Sequence, residues 1–182
     1  MKRTILTFGL ISGGVISVLM ALAMAFSKQI GFDRGYVVGY TSMVLSFLLV
    51  FFGIRAYRDT EGQGYITFGR AFGIGMGIML IACACYVVTW EIIYYFFMPD
   101  FMDRYAAYVL EKAQAAGASP AVVAEKAEKL RQAKAAYANP LVNVAMTFIE
   151  PFPVGLLITL ISAVILKKKA KTQGAEAVAV SN

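Results

Sequence analysis

Phe72-Gly73-Ile74-Gly75-Met76-Gly77-Ile78-Met79-Leu80-Ile81-Ala82-Cys83-Ala84-Cys85-Tyr86-Val87-Val88-Thr89-Trp90-Glu91-Ile92-Ile93-Tyr94-Tyr95-Phe96-Phe97 is a run of 26 residues whose only charged side chain is Glu91. A helix rises about 1.5 Å per residue and the hydrocarbon core of a bilayer is about 30 Å thick, so about 20 such residues cross it. Three further apolar runs, Ile5 to Phe26, Tyr36 to Ile54 and Leu141 to Leu166, are also long enough. The fold class that follows is all-α, a four-helix transmembrane bundle forming a single integral membrane domain over 1–182.

Composition agrees. Of the 182 residues 59% are hydrophobic and 15% charged, where a soluble domain carries about a quarter charged residues. The net charge of +6 could suggest nucleic acid, but the basic residues gather beside the spans, where anionic headgroups and insertion rules account for them. The expected partner is the lipid bilayer, with a homo-oligomer or a membrane-protein partner open and no nucleic acid. There is no histidine, which removes the commonest general base and zinc ligand together with the Ser-His-Asp and Cys-His devices. No catalysis, metal or cofactor is expected. Cys83 and Cys85 lie about 200° apart around one helix, a poor arrangement for a mutual disulfide.

Met1-Lys2-Arg3 before the first run fits either a retained helix or a signal peptide with Ala23-Met24-Ala25 as cleavage site. The run exceeds a usual signal core, which favours retention. Gly9-x-x-x-Gly13, with Ser12, Gly14 and Ser17, would let a second helix approach closely. Lys2, Arg3, Arg55, Arg58, Arg70, Lys167, Lys168, Lys169 and Lys171 all fall on one side of a four-span path, so both termini are expected to be cytoplasmic. Lys167, Lys168, Lys169 and Lys171 read as a headgroup anchor, and the tail from about 170 to 182 as disordered. Lys28 and Arg34 occupy a short turn on the opposite side.

The segment from about 99 to 140 reads as a helical hairpin between the third and fourth spans. Asp100 is placed to cap its first arm and Gly117 to stop it. Ser119-Pro120 restarts a second arm, which Asn139-Pro140 ends. On the second arm a mixed-charge face includes the i,i+4 pair Glu125 and Lys129.

Three features at membrane depth are candidate sites. Gly69, Gly73 and Gly77 share a helix face suited to helix packing, and Thr67 is placed to cap that helix. A phosphate-binding loop is the other reading of these glycines, but no strand precedes them and the Lys-Ser/Thr end is missing. Glu91 and Glu150 lie roughly 9 Å and 13 Å along their helices from Phe97 and Leu141, and could share a layer and a proton, with Lys28 and Arg34 as counter-ions. Pro151 and Pro153 follow Glu150 at once. Each lacks an N–H and restricts the residue before it, so a helix break at Glu150 is expected, with the glutamate pushed from α geometry. Broken helices build ion sites in transporters; alternatively Glu150 accepts hydrogen bonds from Tyr86, Tyr94 or Trp90. The aromatics Trp90, Tyr94, Tyr95, Phe96, Phe97 and Phe101 read as an interfacial belt.

Tyr65-Ile66-Thr67-Phe68-Gly69-Arg70-Ala71-Phe72, Met98-Pro99-Asp100-Phe101 and Glu150-Pro151-Phe152-Pro153-Val154-Gly155, leading to Leu160-Ile161-Ser162-Ala163-Val164-Ile165-Leu166-Lys167, occur in that order. From about Ile5 to Lys169 the chain resembles the domain-of-unknown-function 4199 family of bacterial membrane proteins. That resemblance implies a small bacterial inner-membrane protein of four helices with a periplasmic helical insertion between the last two, and no activity. Two readings of function stand: a structural or accessory subunit acting through its glycine face or hairpin, and a proton- or cation-coupled small transporter using Glu91 and Glu150.

Overall fold

Residues 1–168 are described by the structure, a computed structural model, and among them every regular element is helical. Four stretches are long and apolar enough to cross a membrane: Lys2–Ala25, Ser27–Thr60, Phe68–Phe97 and Pro140–Leu166. They comprise α1 (Lys2–Ala25), α2 (Ser27–Thr60), α3 (Phe68–Ile92) with a π-helical turn at Ile93–Phe97, and the pair α6 (Pro140–Ile149) and α7 (Pro151–Leu166). The hairpin arms are α4 (Phe101–Ala115) and α5 (Pro120–Tyr137). Lys169, Lys171 and the tail lie outside the described residues.

α3 is the central helix, burying ten residues from Ala71 to Trp90. In lipid the apolar effect cannot drive helices together, so association depends on close packing and interhelical hydrogen bonds. Both are present. A Cβ on Gly9 would stand 2.9 Å from Ile81 and one on Gly13 would stand 2.5 Å from Cys85 Sγ, so α1 touches α3 through the Gly9-x-x-x-Gly13 face, as expected. Ser12 is buried and donates to the Ser46 carbonyl of α2 at 2.8 Å, and the Thr89 hydroxyl lies 2.7 Å from Ser17 Oγ. On the other side of α3, Gly75 meets Thr159, Ile54 and Val50, while Gly155 of α7 sits against Met79 and Phe47. Cys83 and Cys85 are both free thiols.

Of the three glycines expected to form a packing face, only Gly77 packs among the described residues, against Ile5. Gly69 and Gly73 are exposed, and a Cβ at either would meet nothing within 4 Å. Four-residue spacing puts the three glycines along one side of α3, but α3 turns its neighbouring face, through Ala71, Ile74, Gly75 and Ile78, to α2 and α7. At this end of the bundle the loop before α3 meets the end of α7, where Ile66 and Lys168 exchange backbone hydrogen bonds of 3.0 and 2.9 Å. Thr67 accepts from the Arg70 N–H at 3.4 Å and caps α3 as its position foretold.

The second span begins nine residues earlier than the apolar run. Phe26 alone separates α1 from α2, and α2 changes direction at Gly31, whose φ of 71° and ψ of 163° only glycine adopts cheaply. Lys28 and Arg34 are therefore on helix rather than in a turn. Gly117 (φ 76°) ends the α4 arm, Ser119 caps α5 by accepting from Val122 N–H at 3.4 Å, and Pro120 occupies the first turn. Asp100 precedes α4 without a side-chain cap bond, its carboxylate standing 3.2 Å from Arg104 Nε instead. Asn139 caps α6 by accepting from Leu141 N–H at 3.0 Å, so Asn139-Pro140 both ends the hairpin and opens the fourth span.

The exposed face of α5 is held by local charge pairs, Lys129 with Glu125 at 2.6 Å and Arg131 with Glu128 at 2.8 Å. Hydrogen bonds from Arg131 first and Gln132 second hold the Glu128 carboxyl at about 2, against an ordinary 4.5. A folded-state value below the unfolded one means that this contribution is complete above pH 4.5 and disappears as pH falls toward about 2. Amide exchange protection of α5 should thus hold from neutrality down to about pH 4.5 and decline only below it. High salt should shrink the decline, because the pair is exposed and screened. A loss of protection already at pH 6 would contradict this assignment.

Candidate functional site

A cavity of about 530 Å³ lies beneath the hairpin, at the end of the bundle away from the α3 N-terminal loop, and every helix but α7 contributes to its wall. Its existence traces to α2. Gly31, Gly35 and Gly39 follow one another at four-residue spacing along the lining, and a Cβ on any of them would meet nothing within 4 Å. Glycines at this spacing ordinarily let a second helix close in. Here no helix does, and the missing side chains leave space. This strip was the signal that the sequence reading passed over: its spacing matches the Gly69, Gly73, Gly77 face, and spacing alone does not say whether a strip meets a helix or a void.

Glu150 reaches this cavity. It lies at the junction of α6 and α7, where Pro151 supplies no N–H to the helical ladder. Its backbone nevertheless stays in the α region at φ −66° and ψ −56°, which corrects the expectation that proline would push it out. The steric bias before a proline amounts to a preference, and Glu150 keeps helical geometry despite it. Glu150 is exposed and its Oε2 accepts from the Tyr86 hydroxyl at 2.8 Å. Tyr86 and Trp90, one turn apart on α3, both line the cavity, so the expected hydrogen bond from Tyr86 is found.

Glu91 does not join Glu150. One residue past Trp90, it points about 100° away around α3 and is absent from the cavity wall, and among the described residues no hydrogen bond links the two carboxyls. Glu91 Oε1 is buried without a hydrogen-bond partner. The proton-sharing pair is thus not formed. Nor does either expected counter-ion pair with Glu150: Lys28 lines the cavity without an ion pair to it, and Arg34 is not in the wall. The other base in the wall is Arg104 of α4, beside Asp100.

The hairpin closes the cavity through aromatic contacts. Phe32 of α2 packs on Phe101, Tyr105 and Tyr108 of α4 with ring centroids 5.0 to 6.0 Å apart, and the Tyr36 and Tyr105 hydroxyls are 3.0 Å apart. Asp33 accepts from Tyr108 at 2.5 Å and is also engaged by Lys112, whose ammonium is held above its ordinary range first by that bond and then by the Tyr108 hydroxyl. From α5, Tyr137 accepts from Trp90 Nε1 at 2.7 Å and lies 3.3 Å from the Thr147 hydroxyl of α6. Burial raises the Tyr137 phenol above its usual range, keeping it neutral. The aromatic belt therefore divides: Trp90 and Phe101 turn inward to the cavity, while Phe96 and Phe97, 79% and 74% exposed, face outward.

The family model described as a protein of unknown function, DUF4199, matches residues 7–168. The chain belongs to the DUF4199 family. No curated protein and no solved structure matches it. The DUF4199 match begins within α1 and runs through the other helices, the hairpin and Glu150, so the cavity is built wholly from residues inside the family's boundaries.

Proposed function

We propose that this DUF4199 protein is a non-catalytic membrane protein that binds a small solute in the cavity beneath its hairpin, as a carrier or as the binding subunit of a larger assembly. One observation carries the reading: a void of about 530 Å³, within the range of about 300 to 1,000 Å³ typical of ligand sites, that an exposed carboxylate at membrane depth enters. Transport would use Glu150 alone as the exchangeable charge, without Glu91. The lack of histidine supports a role without bond chemistry. The basic residues at the far end of the bundle, among them Lys2, Arg3, Arg55, Arg58 and Lys168, support an inner-membrane orientation with both termini cytoplasmic and the hairpin outside.

Gly35→Leu tests the reading, because leucine there fills empty space, improves helix propensity and touches no charge. Saturable binding of the neutral fluorophore N-phenyl-1-naphthylamine, followed by energy transfer from Trp90, should weaken by about tenfold, equivalent to about 1.4 kcal/mol. Equal binding by both proteins would remove the cavity from consideration.

A second reading, a structural or accessory subunit, rests on the exposed pair Gly69 and Gly73. Gly73→Leu should then leave the isolated protein folded and shift a homo-oligomer or mixed complex to free protomers by native mass spectrometry. Unchanged assembly would eliminate that face.

A further inference from the structure

We infer that the solute is an organic cation with an apolar or aromatic body; this rests on the cavity reading above and names its ligand class. The argument is one of charge and of what surrounds it. Among the described residues Glu150 is the only acid in the cavity wall, Tyr86 engages one of its oxygens, and no Lys or Arg forms an ion pair with it. A carboxylate at membrane depth without a protein counter-charge is costly, and a bound cation supplies the missing partner.

The walls around it are of the type that favours a cation. Tyr86 and Trp90 from α3, Tyr36 from α2, Tyr105 from α4 and Tyr137 from α5 all border the space. Aromatic faces carry negative quadrupoles that attract cations, most strongly where water is excluded. The remaining wall is apolar and adaptable, with Met20, Met24 and Met98 beside the open strip of Gly31, Gly35 and Gly39. Methionine reshapes to irregular partners, which suits a hydrophobic body of varied outline. A small inorganic cation is a poorer match, since no group of three or more His, Cys, Asp or Glu among the described residues could hold a metal ion. Lys28 and Arg104 also line the space, Arg104 beside Asp100. They offer the competing preference for an anion, and a matched pair of probes separates the two.

Tetraphenylphosphonium and tetraphenylborate have nearly one shape and opposite charge. The chain has a single tryptophan, Trp90, and it borders the cavity, so its fluorescence in the purified full chain in detergent reports occupancy directly. Tetraphenylphosphonium should change Trp90 emission saturably, tetraphenylborate should not, and Glu150→Gln should weaken the cation by about tenfold or more. N-phenyl-1-naphthylamine should still bind Glu150→Gln, showing that the variant is folded with its cavity intact. Equal response to both ions, preference for the borate, or undiminished phosphonium binding by Glu150→Gln would overturn the cation assignment while leaving the cavity reading standing. Failure of all three probes on the unsubstituted protein would overturn both.

Discussion

Gly155→Leu is expected to destabilise the bundle by more than about 3 kcal/mol, the upper end of what overpacking by a few methylenes costs, and to abolish recovery of folded protein from mild detergent. Gly155 is buried in α7, where even a single Cβ would collide with Met79 Cγ and stand 3.0 Å from Phe47, a ring with no exposed surface. Neither neighbour has room to retreat: Phe47 and Met79 are both completely buried at the junction of α2, α3 and α7. Gly155→Ala should show the same sign at about 1 to 3 kcal/mol, steric loss exceeding the roughly 1 kcal/mol that alanine gains in helix propensity. Gly73→Ala provides the contrast, since the added Cβ meets nothing within 4 Å and only the propensity gain remains. Thermal unfolding of the purified chain compares all three. A Gly155→Leu protein that melts with the unsubstituted one would refute the packing described for α7.

Tyr137→Ala should loosen the α5 arm from the bundle at a cost of about 3 kcal/mol, the lower end of the range for truncating a large core aromatic, because Tyr137 is half-buried. Tyr137 joins α5 to both α3 and α6. No residue of that arm is fully buried, yet Tyr137 accepts from Trp90 Nε1, approaches Thr147 and packs edge-on to Tyr94 at 5.3 Å. Removing it strands the Trp90 N–H in a partly buried site, a loss of about 1 to 3 kcal/mol by itself. Tyr137→Phe keeps the ring contact and loses only that bond, so it should fall between the two. Hydrogen exchange of α5 amides measures the opening; Tyr137→Ala protection equal to that of the unsubstituted chain would mean that the α4 contacts of Phe32 and Asp33, passed to α5 through Lys134 and Asp103, hold the lid without it.

The behaviour of individual residues shows how far one-dimensional reading reached. Thr67, Ser119, Asn139 and Gly117 were legible because capping and chain reversal depend on three or four consecutive residues. Asp100 occupies a capping position without capping, because Arg104, one turn later, competes for its carboxylate. Gly9 and Gly13 were read as a contact face and are one; Gly69 and Gly73 look the same in sequence and face outward. Gly31, Gly35 and Gly39 were not singled out, although they frame the cavity.

Length and apolarity of the four runs, the turn chemistry of the hairpin and the missing histidine are properties of the chain in order, set by the solvent each segment prefers and by local backbone geometry, so the amino-acid sequence by itself determined them. Which glycine strip would meet a helix and which a void, that Glu150 would find Tyr86 while Glu91 turned aside, and that Tyr137 would pin the lid on Trp90 were decided only by the tertiary structure. Each of those outcomes depends on the rotation of one helix about its axis relative to another, which packing across the whole bundle sets and no single segment encodes.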